Sequence, residues 1–157
     1  MQADFLHKVG DPNLPAVVQS KRSLGGGSIN RVEHWSTSRG ERGVKQGASA
    51  TYDAECEGLL ALAAVPSRLR IPQVWHRDSN RLVIEYLEPA RLNEEELGRG
   101  LAELHQRPQP AFGFSCDTYC GSTEQPNPQT QDWLTFYREH RLAHQLRVGA
   151  GQYNRSD

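Results

Sequence analysis

Leu24-Gly25-Gly26-Gly27-Ser28-Ile29-Asn30-Arg31-Val32, read together with Val44-Lys45, decides the fold. Three glycines stand between two segments of β-type patterning. Backbone without Cβ atoms can approach a phosphate closely and aim its N–H groups at the oxygens. A lysine on a neighbouring strand can hold the same phosphates as a point charge. Gly25 and Gly27 satisfy the first half of a G-x-G-x-x-G pattern, and Asn30 stands where the third glycine would be. Dinucleotide-binding and Walker-type loops both need a helix directly after the glycines. Here Ile29–Ser36 alternates in strand fashion instead, with Asn30, Val32 and His34 on one face and Ile29, Arg31, Glu33 and Trp35 on the other. The glycines therefore sit inside a hairpin.

The flanking segments extend that hairpin. Ala16–Leu24 reads as the strand before the glycines, Ser38-Arg39-Gly40-Glu41 as a turn, and Gly43-Val44-Lys45-Gln46 as the start of a third strand. Thr51–Val65 is the clearest helix of the first half. Tyr52, Cys56, Leu59, Leu60 and Ala63 form its apolar stripe. Glu55 borders that stripe and can reach inward, whereas Glu57 faces away. Pro66 ends the helix. Ile71–His76 and Arg81–Leu87 read as strands joined by a turn at Asp78-Ser79-Asn80. A short helix around Phe5 and Leu6 is expected in residues 1–14.

Composition changes near residues 88–92. The chain is accordingly divided into an N-lobe, 1–88, and a hinge with a partial helical lobe, 89–157. Asn93–Gln106 is a helix with Asn93 as cap and Glu96 completing a capping box. Leu92 with Leu97 can form a hydrophobic staple. Leu97, Leu101 and Leu104 give its expected buried line. Residues 107–130 read mostly as loop, Asp132–Arg147 as a last helix, and Gly149–Asp157 as unstructured.

The 157 residues carry 18 basic and 19 acidic side chains and a net charge of -1, which gives neither a nucleic-acid footprint nor a polybasic membrane surface. The longest aliphatic run, Leu59–Val65, is far too short to cross a bilayer. Three cysteines at irregular spacing argue for a reducing cytoplasm. Cys116 and Cys120 lack a second paired cluster that would make a zinc site. His140 and His144 have metal-ligand spacing without an intervening glutamate, and packing accounts for them. Glu94-Glu95-Glu96 complement the positive end of a helix.

A glycine loop within a hairpin, a strand lysine and a helix glutamate are the parts with which kinase-like enzymes cradle nucleotide phosphates. Lys45 is expected on the α- and β-phosphates, with Glu55 orienting it. Leu82-Val83-Ile84-Glu85-Tyr86-Leu87 fits a connector between lobes, where Glu85, Tyr86 and Leu87 would frame adenine. The carbonyl of Glu85 and the N–H of Leu87 would bond its edge.

Taken together, the residues resemble the fructosamine kinase (ketosamine-3-kinase) family, in the aminoglycoside-phosphotransferase-like branch of protein-kinase-like folds. The resemblance rests on Leu24–Asn30, Val44-Lys45, Asp53-Ala54-Glu55-Cys56-Glu57-Gly58-Leu59, Ile71-Pro72 and Ile84-Glu85-Tyr86-Leu87. It continues through Leu101-Ala102-Glu103-Leu104-His105, Phe112-Gly113-Phe114, Gly121-Ser122-Thr123-Glu124-Gln125-Pro126, Asp132-Trp133, Phe136-Tyr137 and His140-Arg141-Leu142. It implies an α+β fold: a protein-kinase-like N-lobe, an antiparallel sheet plus one helix, followed by the first helices of a truncated helical C-lobe. It also implies ATP and Mg²⁺, and phosphorylation of the 3-hydroxyl of the sugar part of a ketosamine. The product decomposes and frees the amine, which is protein deglycation. By the same resemblance Asn30 is ordinary, and Gly25, Gly26, Gly27, Ser28 and Ile29 cover the phosphates.

The family's catalytic loop has a His-Gly-Asp-Leu-Trp-Ser-Gly-Asn type motif followed later by a metal-binding aspartate. His105 is followed by Gln106, Arg107 and Pro108, and none of the other five histidines precedes Gly-Asp. No catalytic or metal-binding residue is therefore assigned in this chain, and the polypeptide alone is expected to be inactive. Its expected partners are ATP and, in the complete enzyme, a ketosamine or other sugar-amine. Uncovered apolar surface on the two later helices leads to an expectation of self-association. Two other readings stay open. One is a non-catalytic nucleotide-binding or regulatory module, and the other a fragment of an aminoglycoside-type phosphotransferase.

Overall fold

A computed structural model of the chain describes residues 17–25, 31–47 and 51–153. The expected helix at 1–14 and the loop residues Gly26, Gly27, Ser28 and Ile29 lie outside the described residues. The chain forms two compact units, one up to Arg107 and one from Pro108.

The first unit is built on a five-stranded antiparallel sheet of order β1-β2-β3-β5-β4. Its strands are β1 (Val18–Leu24), β2 (Arg31–Thr37), β3 (Gly40–Gln46), β4 (Val74–Arg77) and β5 (Arg81–Glu85). The meander of the first three strands is as the alternation predicts. The third strand starts earlier than expected, at Gly40, because the turn narrows to Ser38-Arg39. Gly40 takes φ +97°, a left-handed conformation that suits glycine, and its carbonyl accepts from Thr37 Oγ1 at 2.7 Å. Likewise β4 starts at Val74 rather than Ile71, and β5 ends at Glu85 rather than Leu87.

Register fixes which residues share a face, because directly opposed residues point the same way. Leu24, Val32, Lys45 and Leu82 lie across from one another, as do Arg22, His34, Gly43 and Ile84. Helix α1 (Thr51–Ala63) covers the β4–β5 side of this face. Tyr52, Cys56 and Leu82 make the buried cluster, with Leu60, Val74 and Ile84 packed against it. Burial pushes the Cys56 thiol up to about 11, as suits a small core hydrophobe. The helix stops at Ala63, and Ala63 itself is exposed, so the stripe ends sooner than expected.

The opposite face carries Glu33, Trp35, Val44 and Arg42. Glu33 is 4% exposed. Its carboxylate accepts from Trp35 Nε1 at 2.7 Å, Gln46 Nε2 at 2.8 Å and Arg31 Nη2 at 2.7 Å. The buried charge is thereby satisfied at the β2–β3 end nearest the glycines. Arg42 lies over the Trp75 ring at 4.2 Å.

Helix α2 (Glu94–His105) is capped by Asn93, whose side chain accepts from the Glu96 N–H. The reciprocal half of the expected box is not formed. The Glu96 carboxylate is taken by Arg68 Nη1 at 3.0 Å. Arg68 also grips Glu103, with Nε at 2.8 Å and its own N–H at 2.7 Å from the carboxylate. Gly100 fits between them, since a Cβ there would lie 2.4 Å from Leu69 Cγ. The stripe that docks is therefore Glu96–Gly100–Glu103. Of the leucine line expected to be buried, Leu97 and Leu101 are exposed, as is Leu92 of the staple.

The second unit holds a hairpin, β6 (Thr118–Cys120) and β7 (Thr123–Gln125), within what reads as loop in the sequence. Three-residue strands are too short for a periodic signal. It continues with α3 (Trp133–Tyr137), a π-helical stretch Arg138–Leu142 and α4 (Ala143–Tyr153). Helix thus runs past Gly149, contrary to the expected unstructured tail. The Ala143 N–H bonds the Arg138 carbonyl, five residues back. Arg141 lies over Phe136 at 4.6 Å and donates to the Pro126 carbonyl at 2.8 Å and to Asn127 Oδ1. Buried Asn127 further donates to the Cys116 carbonyl at 3.0 Å and Thr118 Oγ1 at 2.9 Å, which ties the hairpin to the helices.

Candidate functional site

Lys45 and Glu55 are brought together. Lys45 stands on β3, on the face that α1 covers, and its Nζ forms an ion pair with Glu55 Oε1. The cause is local. Tyr52 and Cys56, at 1% and 0% exposure, fix the rotation of α1, and Glu55 sits between these anchors on the side facing β3. Both charged side chains keep a little under a third of their surface open. The ammonium is thus held from one side, and its remaining donors can serve an anionic ligand.

Beside the pair runs a strip of small and aliphatic residues: Leu24, Val32 and Gly43, with Ile84 at its edge. Gly43 is buried and packs closely under Ile84, since a Cβ there would approach Ile84 Cγ1 to 3.3 Å. Gly25, the last described residue before the loop, is exposed, with open space where a Cβ would be.

Glu85, Tyr86 and Leu87 follow where β5 leaves the sheet. The Glu85 N–H donates to the Gln73 carbonyl at 2.7 Å. Its carboxylate bonds Arg70 Nη2, which holds the carboxyl below the usual carboxylate range. The side chain of Glu85 is thereby committed to structure. Among the described residues, no backbone hydrogen bond engages the Leu87 N–H. Tyr86 stacks on His34 of β2, with ring centroids 3.9 Å apart and planes at 25°. Arg22 of β1 donates to the Tyr86 hydroxyl at 3.3 Å.

Arg22, His34 and Arg70 escape sequence reasoning because they act across strands. Only the register shows that Arg22 and His34 stand side by side, and Arg70 lies in an irregular segment. The resemblance to a kinase motif gave no signal for them.

The sheet, the covering helix and the lysine–glutamate pair define an α+β protein with a protein-kinase-like fold. A family model described as fructosamine kinase matches residues 6–156, and the chain belongs to that family. It is 35% identical over 146 residues to a chloroplastic protein-ribulosamine 3-kinase of Arabidopsis thaliana, covering 85% of this chain and 44% of that one. It is 37% identical over 143 residues to a probable ketoamine kinase of Synechocystis, covering 84% and 48% respectively. The chain therefore spans about half the length of these relatives. A crystal structure of a candidate fructosamine-3-kinase from Thermobifida fusca superposes with a TM-score of 0.80 at 24% identity, covering 90% of this chain and 52% of that one. At that identity the likeness bears on the fold alone.

Among the described residues no group of three or more His, Cys, Asp or Glu side chains could hold a metal ion. No described helix is long and apolar enough to cross a membrane.

Proposed function

We propose that this chain is the ATP-binding portion of a fructosamine or ketosamine 3-kinase-like phosphotransferase. One observation carries the reading: in a member of the fructosamine kinase family, Lys45 is paired with Glu55 and both side chains stay partly exposed. In this reading Lys45 holds the α- and β-phosphates and Glu55 keeps its ammonium aimed. Gly25, Gly26, Gly27, Ser28 and Ile29 cover the phosphates, and Glu85 to Leu87 frame the base. The functional division falls at 88–92, after the connector at Glu85–Leu87.

ATP supplies the transferable phosphoryl group. This chain's residues bind and orient it. Transfer also needs a positioning carboxylate and Mg²⁺ ligands. No His-Gly-Asp sequence occurs among the 157 residues, so these groups are assigned to residues other than those of this chain. The chain alone binds ATP without turning it over. The acceptor of the complete enzyme is a ketosamine sugar hydroxyl, in keeping with the ribulosamine and ketoamine kinase names of the relatives. The setting is cytoplasmic.

The test is a pair of measurements. ATP titration should show saturable binding that Lys45→Ala removes. An assay with ATP, Mg²⁺ and a ketosamine should give no turnover by this chain. Robust turnover would refute the assignment of the catalytic carboxylate outside it.

A further inference from the structure

The connector at Glu85–Leu87 needs an anchor, because strand pairing stops at Glu85. We propose that Arg22, His34 and Tyr86 form that anchor, and are positioning residues for recognition of the purine base. The inference rests on the ATP reading and deepens it.

Four elements meet at this point. Arg22 is on β1, His34 on β2, Glu41 on β3 and Tyr86 on the connector. All three strand residues lie on the Lys45 face, because Arg22, His34 and Gly43 are directly opposed and Glu41 is two residues from Gly43. The Tyr86 ring lies on the His34 ring at 3.9 Å between centroids. Arg22 Nη2 lies 3.3 Å from the Tyr86 hydroxyl and 3.5 Å from His34 Nδ1. On the other side of the imidazole, Nε2 lies 2.5 Å from Glu41 Oε2. Glu41 is itself fixed by Ser36 Oγ, which donates to Oε1 at 2.9 Å. The imidazole is thus flanked by a guanidinium and a carboxylate, with its face covered by Tyr86.

The consequence falls on the next residue. Tyr86 is tied by ring and hydroxyl to the first two strands, and Glu85 is tied by its N–H and carboxylate to Gln73 and Arg70. Both residues before Leu87 are therefore held from the side chain, which sets the direction of the Leu87 N–H. An amide donor aimed before the ligand arrives recognises the acceptor edge of a purine at lower cost than one ordered on binding. The phosphates are held elsewhere, at Lys45. Loss of the anchor should therefore weaken recognition of the base and spare recognition of the phosphates.

The full chain is titrated calorimetrically with ATP and, separately, with inorganic tripolyphosphate, which has the phosphates without the base. His34→Ala and Tyr86→Leu should each weaken ATP about tenfold, the scale of one lost aromatic pair and its donor. Tripolyphosphate affinity should stay within about twofold, whereas Lys45→Ala weakens both ligands. His34→Phe keeps the stack and should recover most of the ATP affinity. Arg22→Ala, on an exposed position, gives a second variant that does not disturb packing and should weaken ATP selectively. ATP affinity unchanged in these variants, or parallel loss of ATP and tripolyphosphate, overturns the inference while leaving the ATP reading intact. A wild-type chain that binds neither ligand overturns the ATP reading and this inference with it.

Discussion

Two carboxylates show what single residues contribute away from the candidate site. Glu33 satisfies three donors while almost wholly buried. Replacing it by alanine strands the Trp35 and Gln46 donors, and we expect a loss of about 2–3 kcal/mol, read from urea unfolding. Glu33→Gln, which keeps one acceptor oxygen, should cost less. Asp78 tests the pH dependence. Burial works to raise its carboxyl, but hydrogen bonds from His76 and the Asn80 N–H and the charge of Arg81 outweigh it and leave the pKa at about 2, against an ordinary 3.8. A depressed carboxylate adds stability that is complete above roughly pH 5 and is lost as pH falls through the folded value. Asp78→Asn should therefore lower stability by roughly 1 kcal/mol at pH 7, after allowance for solvent screening. Thermal unfolding of the two proteins should converge near pH 2. A gap of constant size across that range would show that the Asp78 charge is not the cause. Glu55 could be singled out from the sequence because it borders an apolar stripe. Glu33 could not, because its partners come from the neighbouring strand and from residues that read as ordinary strand positions.

At the scale of elements, strands and helices were legible where hydrophobic periodicity runs for two turns or more. The hairpin around the glycines and the helix carrying Glu55 follow from such runs, whereas the Asn93 cap follows from the capping chemistry of its side chain. Element ends were less legible, since β5 stops pairing at Glu85 although the strand-like run of residues continues to Leu87. The docking face of α2 was misread for a different reason. Its leucines are the more apolar stripe, yet Arg68 and Leu69 take the face with Gly100. Glycines within these helices give a contrast that tests this. Gly100→Ala places a Cβ 2.4 Å from Leu69 Cγ and should cost about 1–3 kcal/mol. Gly98→Ala, two residues away with nothing within 4 Å, should instead stabilise by about 0.5–1 kcal/mol through helix propensity. Thermal melts of the two variants should shift in opposite directions. Shifts of the same sign would mean that Leu69 moves aside and that α2 is not gripped there.

For the whole molecule, the fold and family were readable because the motifs are spread along nearly the entire chain, from the glycines to His140-Arg141-Leu142. The base anchor was not, since it exists only once three strands and the connector have assembled. The second unit leaves Leu134 and Leu146 exposed at 73% and 75%. Apolar surface of this kind favours association in water. Sedimentation should detect concentration-dependent self-association that Leu134→Glu with Leu146→Glu reduces, whereas a monomer at every concentration would contradict it. The central claim is that Lys45, held by Glu55, makes this chain an ATP binder. Calorimetric titration with ATP tests it most directly. The account predicts saturable one-site binding by the wild-type chain, lost in Lys45→Ala and weakened about tenfold or more in Glu55→Gln, with both variants folded. No binding by the wild-type chain, or equal binding by Lys45→Ala, would contradict it.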